Sequence, residues 1–110
     1  MRLTQSEVSA IISAIRHFLP SDFLGELFIF GSRTDDSKKG GDIDLALIGA
    51  KSAQVQELKK IDYKIIAAIK SKKEIGDQKI DFKILDEAES RTAFFEHALK
   101  GAIKLPFAAG

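Results

Sequence analysis

Apolar residues recur through the first twenty positions at Val8, Ile11, Ile12, Ile15 and Leu19, a spacing that gathers them on one side of a helix. Thr4, followed three residues later by Glu7, supplies a capping box for its start, and Pro20 stops it. The pattern then changes. "ELFIFGS" carries a short apolar run, Leu27 to Phe30, rich in aromatic and β-branched residues and closed by glycine, which predicts a buried strand. "DIDLALI" predicts a second. Between Ala50 and Lys73 the helical period returns, with Val55, Leu58, Ile61, Ile65, Ile66 and Ile69 on one stripe and Lys59, Lys60, Lys64 and Lys70 off it. One long helix with a solvated basic face is expected there. After an "EIGD" turn, "QKIDFKIL" alternates strictly, Ile80, Phe82 and Ile84 against Lys79, Asp81 and Lys83, the signature of a half-buried third strand. Phe94, Phe95, Ala98, Leu99 and Ala102 in "ESRTAFFEHALKGAIKL" then predict a closing helix. This order implies an α/β (α+β) fold, a small mixed sheet of about three strands flanked by helices.

Composition narrows the classes. The 110 residues suit a single domain, 1–110, with one core and no separate substrate domain. Seventeen basic and 16 acidic residues leave a net charge of +1, so no general nucleic-acid binding is expected. There is no cysteine, which removes disulfides and thiolate metal sites. The polar residues of the first helix break up any signal-peptide core, and no stretch approaches the roughly 20 apolar residues of a membrane span. A cytoplasmic protein without membrane association is expected.

Chemistry concentrates in "FGSRTDDSKKGGDIDLALIG", residues 30–49. Side chains alternate across a strand, so Asp42 and Asp44 share one face while Ile43, Leu45 and Leu47 take the other. Like charges side by side raise each other's pKa, and a fold that keeps both ionised needs a compensating cation. Carboxylates without histidine or cysteine beside them suit Mg²⁺ or Mn²⁺ and not Zn²⁺. Asp81 completes a triad if the third strand pairs beside the second. A strand ending at Gly31 and turning into Ser32-Arg33 offers backbone N–H groups, a hydroxyl and a charge to a phosphate, with glycine permitting close approach. Metal-binding carboxylates beside a phosphate cradle describe phosphoryl transfer from a nucleoside triphosphate.

Each motif alone has a plainer reading, a solvated Asp pair on a strand edge or an ordinary turn, and only the combination argues for chemistry. No Gly-Lys-Ser/Thr follows at P-loop spacing, and the ligand pattern of an EF-hand is absent. Lys38 and Lys39 read as loop solubility, His17 and His97 as surface or packing residues, and Asp62 and Asp77 as a helix-surface residue and a turn former.

"GSRTDDSKKGGDIDLAL" resembles the signature of the DNA polymerase β-type nucleotidyltransferase superfamily, a Gly-Ser pair, a spacer, a DxD pair and a later carboxylate, here in "KIDFKIL". Nine residues separate Ser32 from Asp42. The shortness of the chain and its closing "FFEHALKGAIKL" resemble the minimal nucleotidyltransferases, often encoded beside HEPN-domain partners. The resemblance implies that Gly31 and Ser32, with Arg33, bind the triphosphate, that Asp42 and Asp44 ligate both metals, and that Asp81 ligates the metal activating the acceptor hydroxyl. It implies transfer of AMP from ATP to a hydroxyl on a partner protein, as an antitoxin of a toxin–antitoxin pair. The alternative is a non-catalytic antitoxin that masks a HEPN-type partner by contact.

Overall fold

The structure is a computed structural model that describes residues 4–30, 43–76, 78–91 and 103–105. Helix α1 (Gln5–Arg16) begins where the capping box places it: the Glu7 N–H donates to the Thr4 hydroxyl at 3.1 Å and the Thr4 N–H to Glu7 Oε1 at 2.9 Å. It closes at His17, before the proline. Strand β1 (Gly25–Phe30) follows, then β2 (Ile43–Gly49), α2 (Ser52–Lys60), α3 (Asp62–Lys70), β3 (Ile80–Asp86), the short α4 (Glu87–Ser90) and β4 (Ile103–Lys104).

The sheet order is β3-β2-β1-β4. Strand β1 runs antiparallel to β2 and β4, and β2 runs parallel to β3, the two joined by the α2–α3 crossover. This is the expected small mixed sheet with helices packed on it. Register explains how its helix-packed side is built. Leu27 pairs with Leu47 and Ile29 with Leu45, while across the parallel pair Ile43, Leu45 and Leu47 lie opposite Ile80, Phe82 and Ile84. All eight are buried, and Ile11 and Ile15 of α1, Val55 and Leu58 of α2, and Ile65 and Ile69 of α3 close over them. The helical stripes and the alternating strands therefore meet in one core.

Two expectations are corrected. The long helix between Ala50 and Lys73 is two helices, broken at Ile61, whose φ of −119° and ψ of 20° leave the helical region. Helix α2 packs on β2 and β3, whereas α3 packs on α1 and β3, and the break lets each half face its own neighbours. The second correction falls at the end of the closing helix. Ile103 and Lys104 form a strand, paired with Ile29 and Phe28, and Leu105 continues from it into the core. The positions carrying the helical period, Phe94, Phe95, Ala98, Leu99 and Ala102, lie outside the described residues.

Glycine has specific work at one edge. Gly25 and Gly49 face each other across β1 and β2, and the Phe23 ring fills the space above them. A Cβ on Gly49 would lie 2.7 Å from Val55 Cγ2, and one on Gly25 would collide with the Ile48 carbonyl oxygen and come within 2.6 Å of the Phe23 ring. Neither site has room for alanine.

Candidate functional site

Register decides where the carboxylates meet. Asp44 of β2 lies directly opposite Asp81 of β3, and on its other side it lies opposite Phe30, the last residue of β1. Neighbouring strands are separated by roughly 4.8 Å, and paired residues project to the same face. That face is the one turned away from the eight buried strand residues, because Asp44 sits between Ile43 and Leu45 and Asp81 between Ile80 and Phe82. Both carboxylates are half-buried. Local sequence produces this: the apolar neighbours hold each strand against the helices, and the pleat leaves the aspartates nowhere to point but the opposite side.

The remaining sequence-derived site residues, Gly31, Ser32, Arg33 and Asp42, lie outside the described residues, as do Lys38, Lys39, Asp77 and His97. In the sequence Gly31 follows Phe30 and Asp42 precedes Ile43, and the described Phe30 and Ile43 stand at and beside the row of Asp44 and Asp81.

One group at the site was missed. Lys83 Nζ donates to Asp81 Oδ1 at 3.1 Å, with both side chains more than a third exposed. The strict alternation of "KIDFKIL" already places Lys83 on the face of Asp81, two residues on, and that spacing was the available signal. A cation of the chain itself thus shares the charge of the pair.

Asp44 and Asp81 fit a hard divalent cation. They offer oxygen donors from adjacent strands in one row, and no described histidine shares that face, His17 being exposed beyond α1 with its ring edge-on to Phe18. Among the described residues no group of three acidic or histidine side chains converges, the third member of the expected triad, Asp42, being outside them. A cavity of ≈ 440 Å³ lies toward the opposite end of the same face, lined by Glu26, Phe28, Ile48, Glu87 and Arg91 among others, and contains neither aspartate. Other expected bystanders behave as such or serve the fold. Asp62 sits in the first turn of α3, and Lys59, expected on a solvated face, instead joins α2 to α4 through Glu89 at 2.7 Å.

The chain matches no protein-family model, and no curated protein matches it. Among the described residues no helix is long and apolar enough to cross a membrane.

Proposed function

We propose that the chain is a metal-dependent nucleotidyltransferase of the polymerase β type, which moves a nucleoside monophosphate, AMP from ATP, onto a hydroxyl and releases pyrophosphate. One observation carries the reading: Asp44 and Asp81, singled out from separate motifs, are register partners in the row where β1 ends and the Gly-Ser segment begins. A coincidental Asp on each strand has no reason to fall in register, on one face, beside that segment.

In this reading Asp42, Asp44 and Asp81 hold Mg²⁺ or Mn²⁺, whose charge would steady the transferred phosphoryl group and favour the ionised form of the acceptor hydroxyl. Gly31 and Ser32 bind the triphosphate through N–H groups and a hydroxyl, and Arg33 adds charge. The sheet contributes rigidity. Asp44 lies on the central pair of strands and Asp81 next to it, so both carboxylates ride on backbone fixed by ladder hydrogen bonds and a buried core. The acceptor is assigned to a HEPN-domain partner protein in the cytoplasm, as in a toxin–antitoxin pair.

Calorimetry of the full chain with Mg²⁺ and a non-hydrolysable ATP analogue tests the site. Asp44→Asn should weaken binding about tenfold or more, since a charge-assisted contact contributes about 1.5 kcal/mol or above. Its fold should persist, because the side chain is on the face away from the core. Unchanged binding in the folded variant removes Asp44 from the site.

A further inference from the structure

The Lys83–Asp81 ion pair has little to offer stability. Pairs this exposed are worth little, because water already solvates both charges and ordering a lysine costs side-chain entropy. Its position is more informative. Lys83 Nζ occupies Oδ1 of a carboxylate that stands in register with a second carboxylate on the neighbouring strand. We propose that Lys83 is a positioning residue, the chain's own cation on this carboxylate row: it orients the Asp81 carboxylate through Oδ1, and it competes with the divalent cation for the same oxygen. This rests on the reading of Asp44 and Asp81 as metal ligands.

The competition follows from the donor chemistry. An ammonium group donates hydrogen bonds into carboxylate lone pairs, and a hard divalent cation needs those same lone pairs. Among the described residues Lys83 is the ion-pair partner of Asp81. Removing it frees Oδ1 and deletes a repelling charge, while the core face of β3, Ile80, Phe82 and Ile84, is untouched. Lys79 provides the control. Alternation puts it on the same face, two residues to the other side of Asp81, and it forms no ion pair among the described residues. Its charge is comparable; its contact with Asp81 is lacking.

Mn²⁺ binding to the nucleotide-free full chain, followed by electron paramagnetic resonance of the free ion, tests the idea without recourse to activity. Lys83→Met should bind Mn²⁺ about two- to fivefold more tightly than wild type, the factor corresponding to an exposed pair. Lys83→Arg, which keeps a cation in place, should stay near wild type, and Lys79→Met should tighten binding by less than Lys83→Met. Equal or weaker Mn²⁺ binding in Lys83→Met, with wild type binding normally, overturns the role of Lys83 and leaves the metal site standing. Equal tightening in Lys79→Met also overturns it, because the effect would then belong to the general field and not to the contact. Failure of wild type and every variant to bind Mn²⁺ rejects the metal site itself, and the role of Lys83 with it.

Discussion

At Asp86 a single carboxylate ties together three elements. Its Oδ1 accepts the Glu89 N–H at 2.8 Å, capping α4, and its Oδ2 accepts the Ser52 hydroxyl at 3.2 Å from the first turn of α2. The Glu89 N–H, more than the Ser52 hydroxyl or the charge of Lys59, holds the Asp86 carboxyl below the ordinary aspartate range against the opposing effect of desolvation. A carboxylate with a depressed folded-state pKa stabilises the fold above its unfolded value, near about 3.9, and that stabilisation is lost as pH falls through the folded value. Asp86→Asn should therefore melt below wild type at about pH 7, and the difference should narrow below about pH 4, where wild type loses the same charge. A gap in melting temperature that persists undiminished in acid would show the charge to be irrelevant. The contrast with Asp44 and Asp81 shows what a sequence reveals at this scale. Those two stand out because polar residues interrupt apolar strands, and alternation alone assigns their face. Asp86 ends a strand, where a polar residue is unremarkable. Its capping partner Glu89 stands three residues on, in a capping-box spacing that the sequence does carry, whereas Ser52 is brought to it by tertiary packing. Lys83 falls between: its face was legible, its contact was not.

Elements differ in how locally they are specified. Helix α1 carries its own start signal, with the Thr4 hydroxyl and the Glu7 carboxylate each satisfying a backbone N–H that would otherwise lack a partner. Thr4→Ala should cost about 1 kcal/mol in urea unfolding while leaving the slope of the transition unchanged, because the cap is lost and the buried area is not. No loss would mean that packing of Ile11 and Ile15 alone fixes the helix end. The break at Ile61 has no such signal. No proline or glycine marks it, the apolar stripe runs through it, and only the different neighbours of α2 and α3 call for it. Strand β4 was hidden for a related reason. Two residues are too few to show a period, and Ile103 and Lys104 acquire strand geometry from the open edge of β1. The Gly25–Gly49 pair under Phe23 belongs to the same class, since glycine at a strand end reads as punctuation until the ring above it is seen. Gly49→Ala should accordingly lower the melting temperature, a core overpacked against Val55 costing about 1–3 kcal/mol, whereas an unchanged melt would show that Val55 can yield.

At the scale of the whole sheet, among the described residues the helix-packed core cluster and the carboxylates occupy opposite faces, and this separation permits the proposed catalysis and docking to be tested apart. Every fully buried strand residue described on the helix-packed face, Leu27, Ile29, Ile43, Leu45 and Leu47 among them, is insulated from Asp81 by the sheet itself. Asp81→Asn is nearly isosteric, removes the charge proposed to serve a divalent cation, and leaves Ile80, Phe82 and Ile84 in place, so the fold and any docking surface remote from the site should survive. Under the proposed activity, co-expression with a HEPN-domain partner should yield a complex with either chain, but mass spectrometry should find the AMP adduct on the partner only with wild type. The partner's toxicity should then be relieved by wild type alone. A protein that acts by masking gives the reverse pattern: Asp81→Asn protects as well as wild type, and neither produces a mass shift. Calorimetry on the same variant keeps the outcomes separate. Retained Mg²⁺-nucleotide binding with lost transfer identifies Asp81 with the acceptor side of the reaction, while full protection without modification withdraws catalysis as the function and leaves the carboxylate row as a binding site.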